Sequence, residues 1–380
     1  MAIRLLIGGG LALVALALAG FGGWVLSLPS ATAAVVAPPV PQHETEAMLA
    51  ALKPTKRERP LVAVVGINDA TEVTDYLVPT GILRRADVAD VVMLATGEGP
   101  VQLYPAALKV DPDSTIAEFD AAHPEGADYV IVPAMSPHDD PIMLTWLQEQ
   151  SRKGATIIGV CVVATVVGAA GLLDGRQATT HWYSVDDMLE RSPNINYVAN
   201  RRMVADHGVI TTTGITASIP MMLTLIEAIA GRRKAEAVAG DLGLASWDAR
   251  HASSAFRLTR PFATTVLANR LAFWSRDTWA IELQPGMDEV SLALVADAWS
   301  RTYRSSAVTF AASESAVVTA NGIRVFPDRF GADRPEERGV VAIPGQNPTQ
   351  ALDLTLQAIA SRYCEPTANV VAMQLEYPRR

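Results

Sequence analysis

The chain has 380 residues, of which 49 % are apolar and 19 % charged, and its formal net charge is −9. This length suffices for one large domain or two ordinary ones, and the composition excludes a disordered chain. The acidic balance, with no basic block beyond the short KRER run at residue 56, argues against a nucleic-acid partner. Two cysteines, Cys161 and Cys364, are too few for a disulfide framework, so they form one bridge or comprise a functional thiol and a bystander.

The first 28 residues are strongly apolar. No charged residue lies between Leu5 and Leu28, and a helix over this stretch would reach about 36 Å, which predicts a transmembrane anchor over residues 1–28. A cleaved secretory signal is the alternative, because Ala31-Thr32-Ala33 has the small-x-small pattern of a cleavage site. Since the positive charge precedes the apolar stretch, we expect a single-pass membrane protein with its domain extracytoplasmic, or a secreted or periplasmic one after cleavage. Residues 29–60 are rich in proline and are predicted to form a stiff tether.

Short apolar runs alternate with helical patterns in the next part of the chain. Strands that alternate with helices are typical of a parallel sheet covered on both faces. The sequence therefore predicts an α/β sandwich over residues 61–245. Its buried strands are predicted at 61–66, 91–95, 127–133, 155–160 and 208–213, and its helices at 73–86, 141–153, 162–173 and 215–230.

A similar pattern begins again near residue 278. The LKVDPD run at 108–113 matches IRVFPD at 323–328, and VIVP at 130–133 matches VAIP at 341–344. We therefore predict a partial, degenerate second copy over 278–380, joined to the first by a linker at 246–277. Its strands are predicted at 279–285, 305–311 and 369–375, and its helices at 289–301 and 348–363.

Cys161 directly follows a predicted buried strand and precedes an apolar helix. Such a junction lies above the carboxyl edge of the sheet, where open α/β folds bind their ligands. Unpaired amides and partial positive charge at the start of a helix stabilise a thiolate and a developing oxyanion. Cys161 is therefore a candidate nucleophile, and the alternative is an inert buried thiol.

Two stretches carry a specific resemblance to a known family. The first stretch, IGVC at 158–161 followed by AAGLLDGRQATTHW at 169–182, and the second, NRRMVADHGVITTTGITAS at 200–218, resemble the ThiJ/PfpI family of the class I glutamine amidotransferase-like superfamily. They are most similar to the branch that includes isocyanide hydratases and the amidotransferase-like halves of AraC-type regulators. The resemblance covers residues 61–245. It implies a flavodoxin-like three-layer α/β/α sandwich with a parallel sheet and a cysteine on a nucleophile elbow.

The resemblance also implies partners for Cys161. The family pattern on the first helix is an Asp or Glu followed four residues later by Pro, which Asp75 and Pro79 match. Because a carboxyl beside a thiolate needs a proton, Asp75 is the candidate general acid or proton shuttle. His181 of the ATTHW run either approaches the pocket or satisfies local backbone groups. The candidate oxyanion donors are the backbone amides of Val162 and Ala134, and further pocket candidates are Glu72, His138, Thr213 and Gly214.

Several residues depart from the family pattern. Val162 follows the cysteine where family peptidases have His, so a peptidase is not expected, and Val163 stands where the family has a small residue. Ala134 replaces a Gly of the oxyanion loop. In the second copy, Ser291 aligns with Asp75, Val295 aligns with Pro79 and no elbow cysteine follows, so this copy is not expected to be catalytic.

Two functions therefore remain open. The first is hydratase or amidase-type chemistry on a small molecule with Cys161 as nucleophile, and the alternative is a non-catalytic small-molecule or redox-sensing module that uses the same pocket. No cofactor is expected, and the histidine spacing predicts no metal site. The expected partners are a small molecule and a membrane. We also expect a monomer with a pseudo-dimeric arrangement, in which the second copy covers the first with Leu292, Leu294, Val295 and Trp299.

Overall fold

The computed structural model describes residues 19–30, 36–106, 108–331, 340–341 and 345–378. The first copy is built around a seven-stranded sheet. The strands of this part of the chain are β1 (Leu61–Gly66), β2 (Asp69–Glu72), β3 (Asp90–Ala95), β4 (Val101–Tyr104), β5 (Lys109–Asp111), β6 (Ser114–Thr115), β7 (Tyr129–Val132), β8 (Thr156–Gly159), β9 (Gln177–Ala178), β10 (Asn196–Tyr197), β11 (Met203–Asp206) and β12 (Val209–Thr212). The helices are α1 (Gln42–Ala51), α2 (Val73–Ala86), α3 (Ile116–Ala122), α4 (Pro141–Arg152), α5 (Ala164–Ala169), α6 (Val185–Arg191), α7 (Ser218–Ala230) and α8 (Arg232–Asp241).

The central sheet has the order β11-β12-β8-β7-β1-β3-β6 and is parallel except for the β11–β12 pair. Every residue of β1 is buried, because helices cover both faces of the sheet. Val62 and Val64 belong to one apolar core with residues of α2 and α7, whereas Ala63 and Val65 belong to a second core with residues of α4. The predicted flavodoxin-like α/β/α sandwich is confirmed.

The second copy contains a parallel sheet with the order β17-β14-β13-β18, which repeats the order β6-β3-β1-β7 of the first. Asp113 and Asp328 occupy matching positions in the two copies and bind the backbone N–H groups of Met93 and Thr309 at 2.7 and 2.8 Å. The strands of this region are β13 (Asp277–Glu282), β14 (Ser305–Ala311), β15 (Val317–Val318), β16 (Arg324–Phe326), β17 (Arg329–Phe330) and β18 (Val340–Val341). Helix α9 (Arg260–Leu271) precedes this region, whose own helices are α10 (Glu289–Ser300), α11 (Pro348–Arg362) and α12 (Glu365–Gln374).

The two copies join through helices and through a shared small sheet. Helix α10 packs against α2, and Leu292, Leu294, Val295 and Trp299 are buried. Strand β5 pairs antiparallel with β16 in a sheet of order β15-β16-β5-β4-β2. The chain thus holds two related units face to face, and the expectation of a monomer in solution stays a prediction.

Four local predictions need correction. The proline-rich tether contains helix α1, and the linker contains helix α9. The apolar helix after Cys161 starts as a 3₁₀ turn, and its α-helical part, α5, has six residues. The last strand, at 369–375, is helix α12, because Pro366 in its first turn and helix formers such as Ala368 favour a helix over the short apolar alternation read as a strand.

The predicted membrane segment falls mostly outside the described residues, which begin at residue 19, where a helical stretch runs to residue 27. Within the described ranges, no helix has the length and apolarity needed to span a bilayer. This finding contradicts the predicted single-pass location and the membrane partner that depended on it.

Gly81 lies where α2 and α10 approach most closely. A Cβ at this position would lie 2.7 Å from Glu289 Oε1 and 2.9 Å from Val290 Cγ2. We expect Gly81→Ala to lower the free energy of unfolding by about 1–2 kcal/mol, because the two helices would have to move apart. The control is Gly240→Ala in α8, where a Cβ meets nothing within 4 Å and helix propensity should add about 0.5–1 kcal/mol. Urea unfolding measures both, and equal gains in stability would contradict this view of the interface.

Candidate active site

Cys161 lies on a strained turn between β8 and α5. Its φ is 65°, in the left-handed region that costs a non-glycine residue about 1–2 kcal/mol. Three hydrogen bonds hold this conformation: Cys161 N–H donates to Thr212 Oγ1 at 3.2 Å, and its carbonyl accepts from Thr180 Oγ1 at 3.1 Å and His181 N–H at 3.3 Å. Strain that is held by surrounding bonds in this way is found at functional sites.

A cavity of ≈590 Å³ opens beside Cys161. The side chain of Cys161 is itself only 3 % exposed, so it forms part of the cavity wall and does not project from it. Phe262 of α9 packs edge-on against Trp182 at 5.6 Å between ring centres and closes one side. Polar lining residues are Glu72, Tyr104, His181, Arg270, Arg301, Tyr303 and Gln374, and apolar ones include Phe21, Trp24, Leu258, Phe262, Val266 and Leu267.

Asp75 lies fully buried in the first turn of α2, behind the cavity wall. Its Oδ2 accepts a hydrogen bond from Ala134 N–H at 3.1 Å, and its Oδ1 has no hydrogen-bond partner among the described residues. Burial, reinforced by Glu72, raises the pKa of the Asp75 carboxyl well above its usual range. Burial, reinforced by Asp75 and Glu72, also raises the pKa of the Cys161 thiol. The resting site therefore holds a neutral thiol and a carboxyl that retains its proton to unusually high pH.

Two expectations about the oxyanion site need correction. Ala134 lines the cavity, but its N–H is taken by Asp75 and is not free to bind an oxyanion in this state. The short α5 supplies little of the helix-terminal charge expected at the sulfur, because that charge depends on a run of aligned peptides. Val162 also lines the cavity, next to Cys161.

Glu72 caps α2 and reaches the cavity at the same time. Its Oε2 accepts from Asp75 N–H at 2.7 Å and from Thr74 Oγ1 at 2.8 Å. Its Oε1 accepts from Arg301 Nη2 at 2.7 Å. This carboxylate therefore links the start of α2 in the first copy to the second copy.

His181 lines the cavity and also satisfies local backbone groups, so the two alternatives for it coexist. Its Nδ1 accepts from Tyr183 N–H at 3.2 Å, and its Nε2 lies 2.9 Å from the Gln374 carbonyl. A carbonyl can only accept, so Nε2 carries the proton and the ring is neutral. Burial lowers the pKa of His181 and favours the same state.

The other pocket candidates lie elsewhere. His138 is near the surface, with its Nε2 3.2 Å from Arg191 Nη1, and it does not line the cavity. Gly214 N–H donates to Glu376 Oε2 at 2.8 Å, and Thr213 is buried away from the lining. Within the described residues, no group of three or more His, Cys, Asp and Glu side chains is placed to hold a metal.

Three residues of the second copy that the sequence pattern does not indicate also belong to the surroundings of the site. Glu376 accepts from Trp182 N–H at 2.8 Å as well as from Gly214, which fastens the end of the chain beside the cavity. Arg301 reaches Glu72, and Asp297 binds Arg301 Nε at 2.7 Å. Burial raises the pKa of Asp297 to about 7. Charged residues are common in and beside predicted helices and strands, so the sequence carries no signal that marks these three.

Residues 62–228 match the DJ-1/PfpI family. The chain is 28 % identical to the Parkinson disease protein 7 homolog of Danio rerio over 47 % of this chain and 95 % of that protein. It is 36 % identical to the isonitrile hydratase of Pseudomonas putida over 26 % of this chain and 42 % of the enzyme. It is 41 % identical to the HTH-type transcriptional regulator CdhR of Pseudomonas aeruginosa over 23 % of this chain and 25 % of the regulator.

Solved structures give a related picture. A mutant of a DJ-1 superfamily protein from Salmonella typhimurium aligns with a TM-score of 0.44 and 25 % identity over 49 % of this chain and all of that one. The DJ-1beta of Drosophila melanogaster aligns with a TM-score of 0.44 and 22 % identity over 50 % of this chain and all of that one. The match of residues 62–228 and the relatives above place the site within one known family. Residues 62–228, which carry the Cys161 elbow, are a DJ-1/PfpI family domain.

Proposed function

We propose that this chain is a cysteine-dependent enzyme that hydrates or hydrolyses a small apolar molecule with a polarised carbon. The observation that carries the proposal is the placement of Cys161. Its thiol, held at φ 65°, lies on the wall of a cavity of ≈590 Å³, and a buried carboxyl with one unpaired oxygen lies behind it. Chemistry of this kind needs a nucleophile, a proton carrier and a pocket for the substrate, and Cys161, Asp75 and the cavity are the candidates for these roles.

The walls of the cavity favour an apolar substrate. Phe262, Val266 and Leu267 of α9 line the cavity, and Phe21 and Trp24 line it as well. Of the charged groups in the lining, Glu72 and Arg301 bind each other, and the Arg270 guanidinium lies 4.8 Å from the centre of the Tyr303 ring. A small molecule with an apolar body and one reactive carbon would therefore bury its body against these walls and direct the carbon to the sulfur.

An isonitrile, the substrate class in the name of one relative, illustrates the chemistry. The Cys161 sulfur bonds to the terminal carbon, and the same carbon takes up a proton from Asp75, which receives the thiol proton in exchange. Water then adds to the thioimidate carbon, and the sulfur leaves with a proton. The products are a formamide and the free thiol, so one water is consumed and no oxidant or reductant is needed.

A non-catalytic small-molecule module is the second candidate. The Ala134 amide is bound to Asp75, which leaves the site with fewer oxyanion donors than acyl transfer requires. Two relatives are named as HTH-type transcriptional regulators, a class in which such a domain need only bind. The redox-sensing version is disfavoured, because the thiolate is the form that oxidises and burial raises the pKa of Cys161.

The test uses the full chain with an aryl isonitrile, an aryl nitrile and an aryl amide as probes. Formamide, amide or acid formed in proportion to enzyme concentration supports the enzymatic proposal. A rise in melting temperature with saturating probe, without product, supports the binding module instead. If all three probes give neither product nor a thermal shift, both proposals are overturned.

A further inference from the structure

Two ion pairs cross between the first and second copies. Arg301 follows α10 and binds Glu72, the N-cap of α2, with Nη2–Oε1 at 2.7 Å. Arg85 lies in the last turn of α2 and binds Asp288, the N-cap of α10. In each copy the arginine stands 13 residues after its own cap, at 85 against 72 and at 301 against 288. The two pairs are therefore equivalent, and each copy supplies a cation to the cap of the other.

The shared small sheet shows the same two-fold relation. Val110 of β5 pairs directly with Val325 of β16, and these two residues occupy the same place in the repeated sequence. On either side, Asp111 pairs with Arg324, and Lys109 with Phe326. Reciprocal contacts of this type define an isologous, two-fold interface. The second copy is thus placed as a partner subunit would be, although it is part of the same chain.

The two equivalent ion pairs lie in different surroundings. Arg301 lines the cavity of Cys161, and its Nε also binds Asp297 at 2.7 Å. Around Arg85, Ser291 stands where the first copy has Asp75, and the described sheet of the second copy has no strand equivalent to β8, the strand that Cys161 follows. One pair therefore borders the reactive thiol, and the other only joins the copies.

The effect of Arg301 on the Cys161 sulfur depends on the other charges around the cavity. Asp75, Glu72, Arg301 and Glu376 act electrostatically on the sulfur, and the cavity beside it is also lined by Tyr104, His181, Arg270 and Tyr303. His181 is neutral and Arg270 lies over the Tyr303 ring at 4.8 Å, whereas Arg301 is the cation that pairs with carboxylates of this group. Arg301 forms ion pairs with Glu72 and Asp297, whose side chains are 3 % and 0 % exposed. Asp75 forms no ion pair with Arg301, and its Oδ1 has no hydrogen-bond partner among the described residues. Without this cation, a thiolate at Cys161 would form beside uncompensated buried carboxylates.

We propose that the second copy is a built-in partner subunit whose Arg301 is a positioning residue for the Cys161–Asp75 pair: it fixes the Glu72 side chain through the ion pair and stabilises the sulfur when the sulfur becomes charged. This inference rests on the proposed chemistry at Cys161. It gives the catalytically deficient copy a function in the site of the other copy. Arg85, its structural equivalent, has no such effect and serves as the matched control.

The experiment measures the reactivity of one thiol and needs no substrate. In a Cys364→Ala background, which leaves Cys161 as the single cysteine, alkylation by iodoacetamide is followed from about pH 6 to pH 10.5 in Arg301→Met, Arg301→Lys and Arg85→Met chains. We expect Arg301→Met to move the alkylation midpoint up by about one pH unit and to slow alkylation at pH 8 about tenfold. Arg301→Lys should recover most of the rate, and Arg85→Met should match the parent chain.

Urea unfolding of the same proteins separates structure from charge. Both Met variants lose a partly buried ion pair between the copies, so both should lower the urea midpoint. Equal shifts of the alkylation midpoint in the Arg85 and Arg301 variants, or no shift in either, overturn the inference. If Arg301→Met fails to fold, an alkylation midpoint that moves as far in Arg85→Met as in Arg301→Lys, or farther, overturns the inference as well. Absence of turnover in the parent chain would refute the proposed enzyme and leave this measurement intact.

Discussion

Cys161→Ala should abolish turnover, with a loss of about 10⁴-fold or more in kcat/KM, because the bond between sulfur and carbon cannot form without the thiol. The melting temperature and the binding of the probe should change little, since Ala fits the space of Cys161 and adds no polar atom. Initial rates with the best of the three probes, at matched protein concentration, provide the measurement. Turnover within tenfold of the parent chain would show that another group carries the chemistry.

The second cysteine supplies the control. Cys364 is exposed and is held outside the cavity, so Cys364→Ala should keep the full rate. A Cys161→Gly chain adds a test of the elbow. Because Cys161 has φ 65°, Gly should be more stable than Ala at this position by about 1 kcal/mol while being equally inactive. A Gly variant that is less stable than the Ala variant would contradict the strained turn.

Asp75→Asn should reduce turnover by about 10²–10⁴-fold, the range of a positioned general acid. Asn keeps the shape of the side chain and its acceptor for Ala134 N–H, so the fold and the cavity should persist. The loss should appear in kcat more than in KM, because Asp75 lies behind the cavity wall and does not line it. An unchanged kcat would remove Asp75 from the mechanism and leave Glu72 as the nearest acid.

The same variant should change how stability depends on pH. Burial raises the pKa of Asp75, so the folded chain holds that proton to higher pH than the unfolded chain does. Stability from the protonated carboxyl is therefore complete below the unfolded pKa and is lost as the pH rises through the folded one. Asn does not titrate, so the unfolding free energy of the variant relative to the parent should increase with pH. Asp297 contributes the same trend near pH 7 to both proteins and cancels in this difference. A difference that stays flat from about pH 5 to pH 9 would contradict the raised pKa.

Local sequence signals were sufficient to predict the strands and helices that position the site in the first copy. Strand β1 and helix α2 begin and end where the apolar run and the helical pattern predicted them, at 61–66 and 73–86. A buried parallel strand is apolar at every position, and such a run bounded by Gly66 is distinctive without any knowledge of its neighbours. The elbow position of Cys161 follows from the same signals, because the end of a strand and the start of a helix are both local features.

Local signals failed where the conformation or the contacts of a segment depend on residues distant in the sequence. Helix α9 lies in the region predicted to be a linker. Its apolar residues line the cavity beside Cys161, and this contact cannot be predicted from the helix sequence alone. Helix α12 was read as a strand, since seven residues with several apolar side chains fit either period. The Ala134 amide was assigned to the oxyanion site, whereas the approach of Asp75 across the fold engages it.

The amino-acid sequence by itself determined the sheet, its helices, the repeat and the cysteine at the end of a strand, because each of these depends on residues close together along the chain. Only the tertiary structure decided the ionisation of the site. The raised pKa values of Asp75 and Cys161 come from burial and from charges brought together over long separations, including an arginine 229 residues away from the glutamate it binds. Coulomb energies depend on distance in space and on the exclusion of water, and neither quantity can be read from spacing along the chain.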